Sequence, residues 1–267
     1  MVVVFDLGNS DLVFGVFDQG ALIATGRTNS NRYKSEDEYA HTLRELLFSK
    51  GVNVEQVSDV IMSSVVPQLT TVVIRSIISI FGFKPLLVAP GVKTGLKIKA
   101  DHPAEVGADL VADCVGALHR YPLPAIIVDF GSATKICALD EEGAFIGCTI
   151  GPGVRISAEA LVRTASQLPN INYRLPKKVI GTNTPDSMNS GVLNGAAAMM
   201  DGLIDRFQEE MGPIKTIVAT GGLAPIVVLA SRKNIILDRD LILYGLYEIY
   251  RRNCIKEDKE QYAKQSN

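Results

Sequence analysis

The sequence predicts an α/β protein made of two copies of one architecture, each a mixed five-stranded sheet flanked by helices. Three observations predict it. The first is the order of periodicities up to Ala89, which reads strand, strand, strand, helix, strand, helix, strand. The second is that this order restarts near Ala125. The third is a shared opening, an apolar strand that ends in an acid, a glycine and a hydroxyl-bearing turn. It reads Asp6-Leu7-Gly8-Asn9-Ser10 in the first half and Asp129-Phe130-Gly131-Ser132-Ala133-Thr134 in the second. The duplication is one of architecture rather than of sequence.

Each element of the first half has a local cause. Val2 to Phe5 is an unbroken apolar run, and Asp11 to Phe17 is rich in β-branched and aromatic residues, so the two make a hairpin. Ala21 to Thr28 reads as a third antiparallel strand. Ser35-Glu36-Asp37-Glu38 is a capping box that starts a helix carrying Tyr39, Leu43, Leu46 and Leu47 on one face. Asp59 to Val66 has the continuous apolar character of a buried strand and stops at Pro67. A helix from about Leu69 to Phe81 and a strand from Pro85 to Ala89 follow. Pro90 to Val106 is a loop punctuated by Pro90-Gly91, Thr94-Gly95 and Asp101-His102-Pro103, and it leads into an alanine-rich helix that ends near Tyr121.

In the second half, Ala125 to Thr134 is the apolar strand with its turn, Lys135 to Leu139 the return strand, and Gly143 to Ile150 a third strand. Gly151-Pro152-Gly153 turns the chain into a helix expected from Ser157 to about Ser166. A long helix is expected from about Ser187 to Met211, and Thr216 to Thr220 is a buried strand ending at Gly221-Gly222. Helices near Leu223 to Leu229 and Leu241 to Arg252 complete the pattern, and a polar tail from Lys256 to Asn267 is expected to fray. The domain junction is expected in the alanine-rich helix, giving an N-terminal domain over 1–115, a C-terminal domain over 116–255 and a tail over 256–267.

Composition narrows the function classes. A length of 267 residues, 47% of them hydrophobic and 21% charged, suits a globular chain with a substantial core. The formal net charge of −2 offers no global attraction for nucleic acid or for a membrane, so the expected partner is a small molecule. Cys114, Cys137, Cys148 and Cys254 lack C-x-x-C spacing and a histidine cluster, and they are expected to be reduced thiols. No apolar run reaches the ~18 residues of a membrane span, and the chain enters its first strand without a basic leader. The expected location is cytoplasmic.

The opening hairpin is the first candidate site. Gly8 permits close backbone approach, Asn9 and Ser10 offer N–H groups and a hydroxyl, and Asp6 stands at the strand end where a hydrated cation could sit. An ordinary polar turn uses the same residue types. Asp109 is the second candidate: it opens the helix that follows Gly107 and Ala108, where a carboxylate serves either as a general base or as a helix cap.

Further strings accompany these: Pro90-Gly91-Val92-Lys93-Thr94-Gly95, Pro103 to Asp109, Gly147 through Gly153, Ile180-Gly181-Thr182-Asn183-Thr184 and Thr220-Gly221-Gly222. With the two acid–glycine turns and in this order, they resemble the type III pantothenate kinases of the actin-like ATPase superfamily, over Met1 to about Asn253. The resemblance implies two actin-like (ribonuclease H-like) domains with an interdomain cleft. It implies ATP-dependent phosphorylation of pantothenate, the first step of coenzyme A synthesis, by a homodimer that uses Mg2+ and a monovalent cation, K+ or NH4+. Carried over residue by residue, Asp6, Leu7, Gly8, Asn9, Ser10, Asp11, Leu12 and Val13 bind ATP together with Ser132, and Asp6 stands near the magnesium. Ala100, Gly107, Ala108, Asp109, Leu110 and Thr184 occupy the substrate positions, Asp109 is the general base, and Asp129 is the monovalent-cation ligand. Thr184 corresponds to a hydroxyl contributed at a dimer interface, and it also reads as a helix start ahead of Pro185.

Four positions depart from the pattern. Leu110 stands where the family has an arginine for the pantothenate carboxylate, Ala100 where it has a tyrosine, Cys148 where it has a glycine, and Lys135 where it has a threonine. Lys135 reads either as facing the phosphates or as a solvated strand residue. Three readings follow: a pantothenate kinase whose missing arginine is replaced by Lys93, Lys97 or Lys99; an actin-fold kinase for another small hydroxyl compound; or a nucleotide-binding regulatory paralogue.

Overall fold

The computed structural model describes residues 1–265, with side chains through Cys254. Its first sheet is built on β1 (Val2–Leu7), which pairs antiparallel with β2 (Asp11–Asp18) and parallel with β4 (Asp59–Ser64). β3 (Ala21–Asn29) extends the β2 edge and β5 (Leu86–Leu87) the β4 edge, in the order β3-β2-β1-β4-β5. The apolar run of β1 has no polar alternation because both of its faces are covered. Val3, Phe5 and Leu7 pack with Tyr39, Leu43 and Leu47 of α1 (Glu36–Ser49) and with Leu69, Val73 and Ile77 of α2 (Pro67–Phe81). The opposite face meets α8 (Leu241–Gln265), where Phe17 stacks on Tyr247 with ring centroids 4.2 Å apart and Tyr250 donates to Asp59 Oδ2 at 2.7 Å. The capping box forms as expected: Ser35 Oγ accepts from the Glu38 N–H, and Glu38 Oε2 accepts from the Ser35 N–H at 2.8 Å.

The second sheet repeats the first. β6 (Ala125–Phe130) pairs antiparallel with β7 (Ala133–Leu139) and parallel with β9 (Thr216–Thr220). β8 (Phe145–Pro152) and β10 (Ile236–Leu237) form the edges, in the order β10-β9-β6-β7-β8. Counted within each half, both sheets run third, second, first, fourth, fifth. Ile126, Val128 and Phe130 pack against α4 (Val154–Thr164), α6 (Gly195–Met211) and the short α7 (Ala224–Val227).

The chain divides into two compact units. Unit 1 holds Met1–Leu96, His102–His119 and the chain from Leu241 onward, and unit 2 holds Lys97–Asp101 and Arg120–Asp240. The units therefore are not the contiguous halves 1–115 and 116–255. α3 (Ala108–Arg120) and α8 account for the difference, because they meet at glycines. A Cβ on Gly245 would fall 1.8 Å from the Ala112 carbonyl oxygen, and one on Gly116 would fall 2.4 Å from that of Leu241. Only bare backbone permits that approach, and it returns the last helix to unit 1.

Several boundaries moved for local reasons. α4 starts at Val154 rather than Ser157, because Gly153 is itself the cap residue. The long helix begins as α5 (Thr184–Asn189), passes through a π-turn at Ser190–Asn194 and continues as α6. β10 is the fifth strand of the second sheet, and its place is not marked in the sequence because two residues carry no periodicity. Of the tail expected from Lys256, the backbone is helical through Gln265, and the last two residues lie outside those described. Lys, Glu and Gln sustain a helix and include no stop signal. Among the described residues, no helix is long and apolar enough to cross a membrane.

Candidate active site

Parallel strands bring their carboxyl ends to one edge of a sheet, and in open α/β folds that edge is where ligands bind. In unit 1 the edge holds Asp6 and Leu7 of β1 beside Ser63 and Ser64 of β4. The Asp6 carboxylate is half-buried, and the Ser63 hydroxyl donates to its Oδ1 at 2.7 Å. A carboxylate oriented in this way is prepared to hold a divalent ion, since a hydrogen bond from outside the coordination sphere fixes its direction.

The turn that follows is tied down from behind. The Gly8 N–H donates to the Asp11 carbonyl at 3.0 Å, the Ser30 hydroxyl donates to the Gly8 carbonyl at 2.7 Å, and the Ser30 N–H donates to the Ser10 carbonyl at 2.9 Å. Asn9 and Ser10 are exposed at the tip. With two of its carbonyls anchored on Ser30, the turn presents its polar tip to an anion rather than to its own sheet. Leu7 and Leu12 are fully buried in the core, so from these two positions the turn offers backbone only, while Asp11 and Val13 are half-buried. Sequence reasoning missed Ser30 and Ser63. Serines at a strand end carry no pattern, and the parallel register that brings Ser63 to Asp6 spans 57 residues.

Asp109 lies in the first turn of α3, half-buried, and its Oδ1 accepts the Leu110 N–H at 2.8 Å. A Cβ on Gly107 would stand 2.6 Å from that same oxygen and 3.8 Å from Val65 Cγ1. Val65 in turn donates its N–H to the Leu7 carbonyl at 3.1 Å. Gly107 thus lies near Val65, next to the strand end that carries Asp6. Leu110 is buried, at 6% exposure. Ala108 is half-buried at the head of the helix.

Unit 2 repeats the hairpin with different side chains. Asp129 and Lys135 are direct partners across the β6–β7 ladder, and Lys135 Nζ lies 2.7 Å from Asp129 Oδ2. Lys135 is therefore not a solvated strand residue; it is ion-paired. Ser132 is half-buried in the turn. Gly153 packs against that turn so closely that a Cβ would fall 2.1 Å from the Ser132 carbonyl oxygen. The Thr220-Gly221 turn crosses beside Asp129, and Gly221 holds a φ of +94°.

Ala100 is half-buried in the short segment Lys97–Asp101 of unit 2. Its lysine neighbours are engaged with the β7–β8 turn: Lys99 Nζ lies 2.6 Å from Asp140 Oδ2, and Lys97 Nζ 3.6 Å from Glu142 Oε2. Thr184 is exposed at the first turn of α5, capped by Asn183, whose side chain accepts the Asp186 N–H at 2.9 Å. It borders an open hollow of about 560 Å3 lined by Leu161, Thr182, Asn183, Ser187 and Met188. Among the described residues, no group of three or more His, Cys, Asp or Glu is placed to hold a metal. A magnesium carried by nucleotide phosphates needs only one or two carboxylates, so Asp6 alone remains compatible with one.

Comparison with known proteins agrees with this arrangement. The family model described as type III pantothenate kinase matches residues 2–206. A type III pantothenate kinase of Bacillus cytotoxicus is 41% identical over 260 residues, covering 97% of this chain and 99% of the relative. Among solved structures, a Baf-family protein from Campylobacter jejuni superposes with a TM-score of 0.59 at 18% identity, covering 94% of this chain and 98% of the other. The activator of 2-hydroxyisocaproyl-CoA dehydratase from Clostridium difficile, solved with ADPNP, gives 0.58 at 13% identity with 97% of each chain covered. The structural likenesses establish the actin-like fold. The family match over most of the chain, together with the two acid–glycine hairpins and Asp109 at the head of α3, establishes that the chain belongs to the type III pantothenate kinase family.

Proposed function

We propose that this chain transfers the γ-phosphoryl group of ATP to the terminal hydroxyl of pantothenate, giving 4′-phosphopantothenate in the first step of coenzyme A synthesis. Beyond family membership, one observation carries the reading. Asp109 follows Gly107, whose backbone lies near Val65, the residue that donates its N–H to the Leu7 carbonyl at the end of β1. Phosphoryl transfer runs through a loose transition state, so a protein accelerates it mainly by positioning and by neutralising charge. The turn from Asp6 to Val13 cradles phosphates with its backbone, and the Ser132 turn of unit 2 is a second hairpin of the same kind. Asp6, oriented by Ser63, would hold a magnesium ion, which would supply neutralisation of the phosphate charge. Asp109 takes the proton from the attacking hydroxyl, and the Leu110 N–H holds its carboxylate in place. The monovalent cation does not fit the site the resemblance gives it, because the Lys135 ammonium already lies against Asp129.

The acceptor's carboxylate lacks the family's arginine. Of the three lysines that could replace it, Lys97 and Lys99 are ion-paired with Glu142 and Asp140, which leaves Lys93. Lys93 is exposed on the loop of unit 1, where its N–H and carbonyl bond the Asn253 side chain. These commitments, with Leu110 buried, favour a second reading in which the acceptor is a small alcohol without a carboxylate. Unit 2 exposes Val179 and Ile180, four residues and more before Thr184, and we propose that a second copy of the chain docks there.

A coupled assay of ADP release decides between the acceptors. Turnover should require pantothenate and should fall about 100-fold or more in Asp109→Asn, with the far-ultraviolet spectrum unchanged. Turnover with another alcohol but not with pantothenate would move the assignment to the second reading. An undiminished rate in Asp109→Asn would remove Asp109 from the mechanism.

A further inference from the structure

A carboxylate at the end of β6 has to be neutralised before a phosphate can approach the adjoining turn, because like charges at short range repel strongly where hydration is poor. The resemblance supplies a monovalent cation for this at Asp129. Here the position is filled from within the chain. The Lys135 ammonium lies 2.7 Å from Asp129 Oδ2, and the two side chains keep only 12% and 15% of their exposure. Strand register fixes the contact, since Asp129 and Lys135 are paired across the antiparallel ladder. Backbone walls the carboxylate on other sides: a Cβ on Gly221 would stand 2.6 Å from Oδ1, and one on Gly131 3.2 Å from Oδ2. In the first hairpin the matching ladder partner of Asp6 is Val13, so the ladder there brings no lysine to the acid.

We propose that the Lys135 ammonium is the cation of this site, and that the kinase neither binds nor requires a monovalent ion at Asp129. The inference rests on the kinase reading above. A lysine ends in the same charged, hydrogen-bonding nitrogen that an ammonium ion would bring, with the difference that it is covalently held. A metal ion entering beside it would meet a like charge at contact distance and would have to displace a charge-assisted hydrogen bond. Lys135 is then a positioning residue: it cancels the Asp129 charge three residues ahead of Ser132, so the turn can accept a phosphate in any salt.

The test measures turnover of the full chain in potassium, sodium and N-methylglucamine chloride at equal ionic strength, with thermal unfolding followed in the same salts. The wild-type rate and midpoint should not differ among them. Lys135→Thr should lose about ten- to a hundredfold in turnover in N-methylglucamine, as expected for a lost charged hydrogen bond, and should regain it in potassium or ammonium. Its unfolding midpoint should rise with those ions, as for any ligand that binds only the folded state. Lys135→Arg should show one rate in all three salts, whatever its level. Potassium stimulation of the wild-type protein would overturn the proposal, and so would a folded Lys135→Thr indifferent to potassium. Should Lys135→Thr fail to fold, the wild-type and arginine arms decide. If the wild-type chain turns over nothing in any salt, the kinase reading fails, while the unfolding midpoints still test the cation at Asp129.

Discussion

Asp109 is held by a neighbour that has no side chain. Gly107 takes an ordinary backbone conformation, so its glycine is not demanded by φ; what excludes a side chain is the Asp109 carboxylate, 2.6 Å from where a Cβ would sit. The clash in Gly107→Ala falls on the movable end of a flexible side chain, so the fold should bear it at a cost of about 1 kcal/mol or less. The carboxylate itself has to turn away, and a misplacement of about 1 Å in a reacting group can cost on the order of 100-fold. Gly107→Ala should therefore lower kcat by about that factor while leaving the unfolding midpoint nearly in place. Steady-state kinetics with calorimetry on the same sample checks it, and a normal kcat or a collapsed midpoint would refute the account. Asp109 is singled out by its motif as the proposed base. Its restraint was not legible in the sequence, nor was the bond from Ser63 to Asp6, because both depend on contacts that only the folded chain makes. Leu110 illustrates the same limit: a motif aligns it with a substrate residue, and that its apolar side chain is 6% exposed emerges only in the folded chain.

At the scale of elements, the strands and caps were readable because each has a local cause, whereas the polar contacts between elements were not. The β7–β8 turn is the clearest case. Gly143 adopts a φ of +78°, as a tight turn requires, and that much is visible in the sequence. The sequence does not tell that Asp140 organises the turn, accepting the Glu142 and Ala144 N–H groups on Oδ1 and the Lys99 ammonium on Oδ2. Burial pushes the Asp140 carboxyl up, but the Lys99 hydrogen bond and the two backbone donors together hold it below its ordinary value. An acid whose folded pKa is depressed stabilises the fold fully above its unfolded pKa of about 3.9 and loses that contribution as pH falls through the folded value. Asp140→Ala should thus destabilise the protein by about 1–3 kcal/mol at neutral pH, and the deficit should shrink steadily below about pH 4. Urea titrations of the two proteins at neutral and acid pH measure this. A deficit independent of pH would mean that the turn is held by packing rather than by its ionised carboxylate.

For the whole molecule, the twofold repetition was legible because the two acid–glycine strands announce it, while the true composition of the units was not. The last helix returns to unit 1 through the close approach of Gly245 to Ala112, and glycines inside helices give no direction in the sequence. A second feature at this scale is what unit 2 leaves exposed. Ile180 keeps 82% of its surface, Val179 70% and Ile150 66%, with Ile156 and Leu161 at 48% and 42%. Single exposed aliphatic residues are ordinary, whereas a contiguous apolar patch suits a partner, and Val179 and Ile180 are adjacent in the chain. A stable pairing buries roughly 1,200–2,000 Å2 and is apolar at its centre, so a charge placed there is desolvated without a counter-ion. If two copies of this chain associate through that surface, sedimentation equilibrium should give twice the 28.8 kDa chain mass for the wild-type protein and the single mass for Ile180→Glu. Because Thr184 lies four residues on, beside the hollow at α5, separation should also raise the Michaelis constant for the acceptor far more than that for ATP. A wild-type monomer would dismiss the pairing outright. An Ile180→Glu dimer with unchanged constants would move the interface elsewhere and return Thr184 to the role of a helix residue.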